Sequence, residues 1–111
     1  MDDEEWCLEE LAEMLGKIEN VELTGTYNDA VNALEATARD VPDAIFIDVQ
    51  MPGMSGLELA QRLKLLLNKV YIVLISEKEC FARNGFDIGV DDYILKPIRK
   101  ERVIMTIGRM G

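Results

Sequence analysis

The chain has 111 residues, 49% hydrophobic and 30% charged, the size and balance of one soluble globular domain with no room for a second. A net charge of −9 argues against nucleic-acid binding, and no apolar run approaches the roughly 18 residues of a membrane span. No signal peptide opens the sequence, so a cytoplasmic location is expected. There is no histidine, which removes Ser–His–Asp and Cys–His catalysis, His-ligated zinc and any phosphohistidine carried by this chain. Carboxylates, lysines and hydroxyls remain, groups suited to Mg²⁺ and phosphate.

The first helical pattern carries Leu8, Leu11, Leu15 and Ile18 on one stripe and ends around Gly16 and Asn20. Val21–Tyr27 reads as a short strand. Asn28 or Asp29 then caps a helix with Val31, Leu34 and Ala38 on one face. After the break at Val41-Pro42-Asp43, the stretch from Ala44 to Gly56 is the centre of the sequence. Ala44, Ile45, Phe46 and Ile47 form an apolar run that stops at Asp48, and Pro52, Gly53 and Gly56 lead into a new helix. That helix starts at Ser55 or Gly56 and is expected to bury Leu59, Ala60, Leu63, Leu66 and Leu67. Val70–Ile75 is a second β-branched run, ending on Ser76. A weaker helix with Phe81, Ala82 and Phe86 is interrupted by Gly85, the two Phe being expected in the core. Gly89 to Asp92 turns into a short strand, Tyr93 to Leu95, ending at Lys96-Pro97. The last helix, from Lys100 to about Arg109, is expected to bury Val103, Ile104 and Ile107. Asp91-Asp92 reads as turn chemistry, and Cys7 and Cys80 as buried, reduced thiols.

Helices alternating with strands imply a doubly wound α/β domain with a parallel sheet. In such a sheet ligands gather at the carboxyl ends of the strands. Asp48, Ser76 and Lys96 each terminate a strand, so an acid, a hydroxyl and an amine converge on one edge. A carboxylate there can attack a phosphoryl group, with a cation and a donor holding the phosphoryl oxygens. The acidic pair Asp2-Asp3 is available to supply oxygen ligands for Mg²⁺.

Asp2-Asp3-Glu4, Asp48 with the following MPGMSG, Ser76 and the segment GVDDYILKP closely resemble the receiver domain of two-component response regulators, over nearly the whole chain. The resemblance implies a flavodoxin-like receiver fold and a signalling role rather than an enzyme. It implies that Asp48 accepts a phosphoryl group from a histidine kinase, with Asp2, Asp3, Asp48 and the Gln50 carbonyl holding Mg²⁺. Ser76 then bonds a phosphoryl oxygen, Lys96 is the matching lysine in a cis bond to Pro97, and Tyr93 is the aromatic that changes rotamer on activation.

Three departures stand out. Family members place a hydrophobic strand directly before the acidic pair, usually the central strand of the sheet. Only Met1 precedes Asp2 here, so residues 1–111 are expected to be a receiver domain lacking its first strand, with no output domain after Gly111. The position after the hydroxyl is usually small and here is Glu77. A lost central strand leaves two expected outcomes: Val21–Tyr27 closes on the Asp48 strand, or another chain completes the sheet in a homodimer or strand-swapped oligomer. The alternative to a phosphoacceptor is a phosphorylation-impaired scaffold or dimerisation module. A metal-dependent phosphatase is disfavoured because Gln50 stands where a second acid is needed.

Overall fold

Three apolar runs become parallel strands in the computed structural model: β1 (Ala44–Asp48), β2 (Tyr71–Ser76) and β3 (Asp92–Leu95), side by side in that order. The structure describes residues 5–18, 21–23, 25–27, 29–50, 54–67 and 69–110. β1 and β2 are buried along nearly their whole length, because helices cover both faces. Continuous burial is why they read as unbroken apolar runs rather than alternating ones.

One face of the sheet carries Ile45, Ile47, Ile72 and Leu74 against α2 (Ala30–Arg39) and α3 (Gly56–Leu66). The short α4 (Ala82–Ile88) packs on α3 at the same side. The other face, with Phe46, Val73, Ile75 and Ile94, meets Leu11 and Leu15 of α1 (Glu5–Gly16) and Val103 of α5 (Lys100–Arg109). This is the expected doubly wound arrangement. Asp29 caps α2 by accepting the Val31 and Asn32 N–H groups, and Ser55 caps α3 by accepting that of Glu58. Asn28, the other candidate cap, lies outside the described residues.

The structure corrects several expectations. Residues 21–23 and 25–27 belong to no strand, and they do not close on β1. A cleft of about 1060 Å³ separates Val21, Leu23 and Tyr27 from Ala44, Ile45 and Phe46. An alternating sequence becomes a strand only where a neighbouring backbone lies within hydrogen-bonding reach, and among the described residues none pairs with this segment across the cleft. The Tyr27 ring lies against Gly25 and packs on the edge of the core.

Burial within the helices also differs. α2 faces the sheet through Ala30, Ala33 and Thr37, while Val31 is 55% exposed and Ala38 is exposed too. Small residues bring the helix axis close, and Thr37 stays satisfied by donating its hydroxyl to the Ala33 carbonyl at 2.9 Å. α4 packs through Gly85, where a Cβ would stand 2.7 Å from Leu74 Cδ1, so Phe86 points outward while Phe81 packs against the core. Leu66, the last residue of α3, is exposed and Leu67 turns inward in its place. In α5, Val103 is buried and Ile107 packs on the core, whereas Ile104, about 100° around the helix from Val103, is exposed. Cys80 is exposed, and the side chains of Cys7 and Leu8 lie outside the description.

Candidate functional site

The strand register assembles the site. Asp48 stands opposite Ile75, and Ser76 stands opposite Leu95, so Asp48, Ser76 and Lys96 emerge together at the carboxyl edge of the sheet. The Lys96 ammonium lies 2.5 Å from Asp48 Oδ2, and the two side chains are only 9% and 5% exposed. An ionised carboxylate at that depth costs several kcal/mol unless paired, and Lys96 supplies the pairing. Asp48 Oδ1 also accepts the Gln50 N–H at 2.7 Å, which fixes the carboxylate against the turn leaving β1.

Gly56 makes room for this turn. The Gly56 N–H donates to the Val49 carbonyl at 2.8 Å, and a Cβ on Gly56 would lie 2.1 Å from the Asp48 carbonyl oxygen. Only a residue without a side chain lets α3 start directly against the backbone of Asp48.

Ser76 is buried, and its hydroxyl accepts the Lys78 N–H at 3.0 Å. The Tyr93 hydroxyl reaches the same short segment, donating to the Lys78 carbonyl at 2.5 Å. Burial pushes the Tyr93 hydroxyl above its ordinary pKa; the hydrogen bond with Ser76 offsets part of this, and Cys80 and Asp48 add to the rise. The Lys96-Pro97 bond is cis, as expected. Asp48, Ser76, Lys96, Tyr93 and the Gln50 backbone are thus one constellation.

Asp2 and Asp3, the other two expected metal ligands, lie outside the described residues. Among the described residues no group of three or more acids, cysteines or histidines forms a metal cage. Asp48 and the Gln50 carbonyl are both hard oxygen donors, the chemistry Mg²⁺ takes.

A second polar cluster escaped the sequence reading. Asp92 is buried at the start of β3, where both guanidinium nitrogens of Arg102 donate to it at 3.1 and 2.8 Å. Thr106 Oγ1 at 2.7 Å, Arg109 Nη1 at 3.3 Å and the Tyr93 N–H at 2.8 Å complete the set. Burial alone would raise the Asp92 carboxyl, but the bonds from Arg102, Thr106 and Tyr93 outweigh it and bring the pKa down to about 2. The expectation of turn chemistry at Asp91-Asp92 is corrected: Asp92 is a strand residue in this ion pair, and Asp91 accepts from the distant Ile72 N–H and Lys64 ammonium, tying the start of β3 to β2 and α3. The sequence did hold a signal for Asp92. Arg102, Thr106 and Arg109 are spaced four and three apart, one polar face on a helix that also has an apolar one.

Residues 1–108 match the response regulator receiver domain family. The chain belongs to that family. Among curated relatives of this receiver domain, an uncharacterized response regulatory protein of Vibrio cholerae is 34% identical over 110 residues, 99% of this chain and 46% of the relative. The sensory transduction protein LytT of Bacillus anthracis is 34% identical over 107 residues, 96% of this chain and 44% of its own length. The chain therefore spans about half the length of the curated relatives it matches. The crystal structure of the response regulatory domain of MrkE from Klebsiella pneumoniae superposes with a TM-score of 0.91 at 29% identity, covering 99% of this chain and 90% of that one. The receiver domain of NtrX from Brucella abortus gives a TM-score of 0.87 at 28% identity, covering 98% and 92%. The fold is the flavodoxin-like receiver fold, and the family's role is signalling in two-component systems. No helix among the described residues is long and apolar enough to cross a membrane.

Proposed function

We propose that this receiver domain is a cytoplasmic phosphoacceptor switch that takes a phosphoryl group from a histidine kinase onto Asp48 with Mg²⁺ and alters a protein-interaction surface. The observation that carries the reading is the buried Asp48–Lys96 pair at 2.5 Å, set at the strand ends beside the Ser76 hydroxyl. A carboxylate oxygen of Asp48 attacks phosphorus, and the P–N bond to the kinase's phosphohistidine breaks. The bonding pair leaves on the imidazole nitrogen, which takes up a proton. Residues 1–111 contain no histidine, so the donor histidine lies outside them.

Lys96 offers a fixed positive charge that can follow the negative charge from the carboxylate to the phosphoryl oxygens. Ser76 offers a hydroxyl to one of those oxygens. Asp48 and the Gln50 carbonyl, with Asp2 and Asp3, would hold Mg²⁺, which would supply neutralisation of the negative charge. Tyr93 reads the result, because its hydroxyl is bonded to the carbonyl of Lys78, two residues beyond Ser76. A Ser76 hydroxyl drawn toward a phosphoryl group moves the backbone that Tyr93 holds.

Intact-mass measurement after incubation with Mg²⁺ and acetyl phosphate tests the assignment. Wild type should gain one phosphoryl group and Asp48→Asn none; equal labelling of both would overturn the role of Asp48.

A further inference from the structure

Tyr93 sits on β3, an edge strand of the described sheet. In a parallel ladder, successive residues alternate between pointing their amide groups at the neighbour and away from it. The Lys96 N–H donates to the Ser76 carbonyl of β2, so Lys96 faces β2 and the amide groups of Tyr93 and Leu95 face outward. Outward-facing groups on an edge need a partner from elsewhere. At Tyr93 both are supplied by one side-chain pair. Asp92 Oδ1 accepts the Tyr93 N–H at 2.8 Å, and Arg102 Nη2 donates to the Tyr93 carbonyl at 3.1 Å. Asp92 and Arg102 are themselves joined in a two-pronged ion pair, which Thr106 braces from both sides by donating to Asp92 and accepting from Arg102.

We infer that Arg102 and Asp92 are a positioning pair for Tyr93: they grip its backbone from both polar groups and so set where its hydroxyl lands at Lys78 and Ser76. The pair replaces a missing neighbour strand at one residue, and that residue is the one whose side chain enters the site. The mechanical consequence is that α5, through Arg102, is tied to the ring beside Ser76. A shift of α5 and a rotation of Tyr93 are then one motion. Lysine would not replace Arg102, because a single ammonium cannot span both Asp92 oxygens and the Tyr93 carbonyl as the planar fork does. This inference rests on the proposed switch only for its consequence, since the placement of the ring is itself measurable without phosphorylation.

The test uses 3-fluorotyrosine incorporated at the chain's three tyrosines, with Tyr93→Phe assigning the Tyr93 signal and Tyr27 as internal control. In wild type the Tyr93 fluorine signal should be displaced from the free-tyrosine position. In Arg102→Ala and in Arg102→Lys it should move most of the way toward that position, with the Tyr27 signal unchanged. Asp92→Asn keeps an oxygen for the Tyr93 N–H but loses the ionic fork, so amide exchange at Tyr93 should stay slow while the ring signal moves. An unmoved Tyr93 signal in folded Arg102→Ala, or an Arg102→Lys spectrum identical to wild type, would overturn the inference. Should Arg102→Ala not fold, Arg102→Lys and Asp92→Asn carry the same decision. Adding acetyl phosphate and Mg²⁺ separates the two readings: absence of label on wild-type Asp48 defeats the proposed function and leaves the ring measurement standing.

Discussion

Two buried carboxylates lie at opposite ends of the outer strands, and each faces a basic side chain. Asp48, at the end of β1, meets the Lys96 ammonium and the Gln50 N–H. Asp92, at the start of β3, is held by the fork of Arg102, by Thr106, by Arg109 and by the Tyr93 N–H. The burial is alike, 3% exposure for Asp48 and 4% for Asp92. The difference is in the cation. Lysine is a point charge on a flexible stem, able to follow charge as it moves, whereas the arginine fork locks two oxygens in one geometry. One ion pair suits a reaction and the other holds a helix to a sheet.

The sharpest way to break the comparison is at the backbone beneath Asp48. Gly56→Ala should destabilise the fold by about 3 kcal/mol or more, beyond ordinary overpacking, because its Cβ would meet backbone that cannot step aside. Urea denaturation measures the loss, and labelling of Asp48 should fall with it. Gly85→Ala is the control, since the atom in its way is the end of the Leu74 side chain and can shift.

Removing each carboxylate sharpens the contrast. Asp92→Ala should cost about 3 kcal/mol, the scale for breaking a buried ion pair, since it leaves Arg102 and buried Thr106 without their acceptor. Asp48→Asn should cost less, about 1 kcal/mol, because the Asn amide oxygen still accepts the Gln50 N–H in the same place. The urea midpoints of the two variants decide it; similar midpoints would mean the two pairs are energetically equivalent.

Acid offers a third probe. The Asp92 carboxyl has its pKa lowered from 3.8 to about 2 in the folded protein. A depressed folded value means the stabilisation is complete above about pH 4 and is lost as pH falls through about 2. It amounts to about 2 kcal/mol, so the stability difference between wild type and Asp92→Asn should shrink by that amount across this window. A difference independent of pH would show that the charge on Asp92 does not carry the effect.

The smallest expected effect is at Glu77, exposed directly after Ser76. A carboxylate beside the path of attacking water crowds and repels it, so Glu77→Ala should speed loss of the phosphoryl group from Asp48 by a few-fold. An unchanged decay of the labelled mass would place Glu77 outside the water's path.

The sequence by itself determined the strand ends and the residues on them. Asp48, Ser76 and Lys96 were legible because each closes an apolar run, and a parallel sheet must bring such ends to one edge. The helix starts near Asp29 and Ser55 were legible to within a residue because capping is chemistry local to the chain. The tertiary structure alone decided which helix faces are buried, where Ala30, Ala33 and Gly85 outrank Val31 and Phe86: close packing against a sheet selects small size, which hydrophobic spacing does not report. It alone decided that residues 21–23 and 25–27 lie in no strand, because a strand exists only with a partner beside it. It also joined Asp92 to Arg102, ten residues apart across the cis turn, since no local spacing tells a carboxylate which cation the returning helix will place against it.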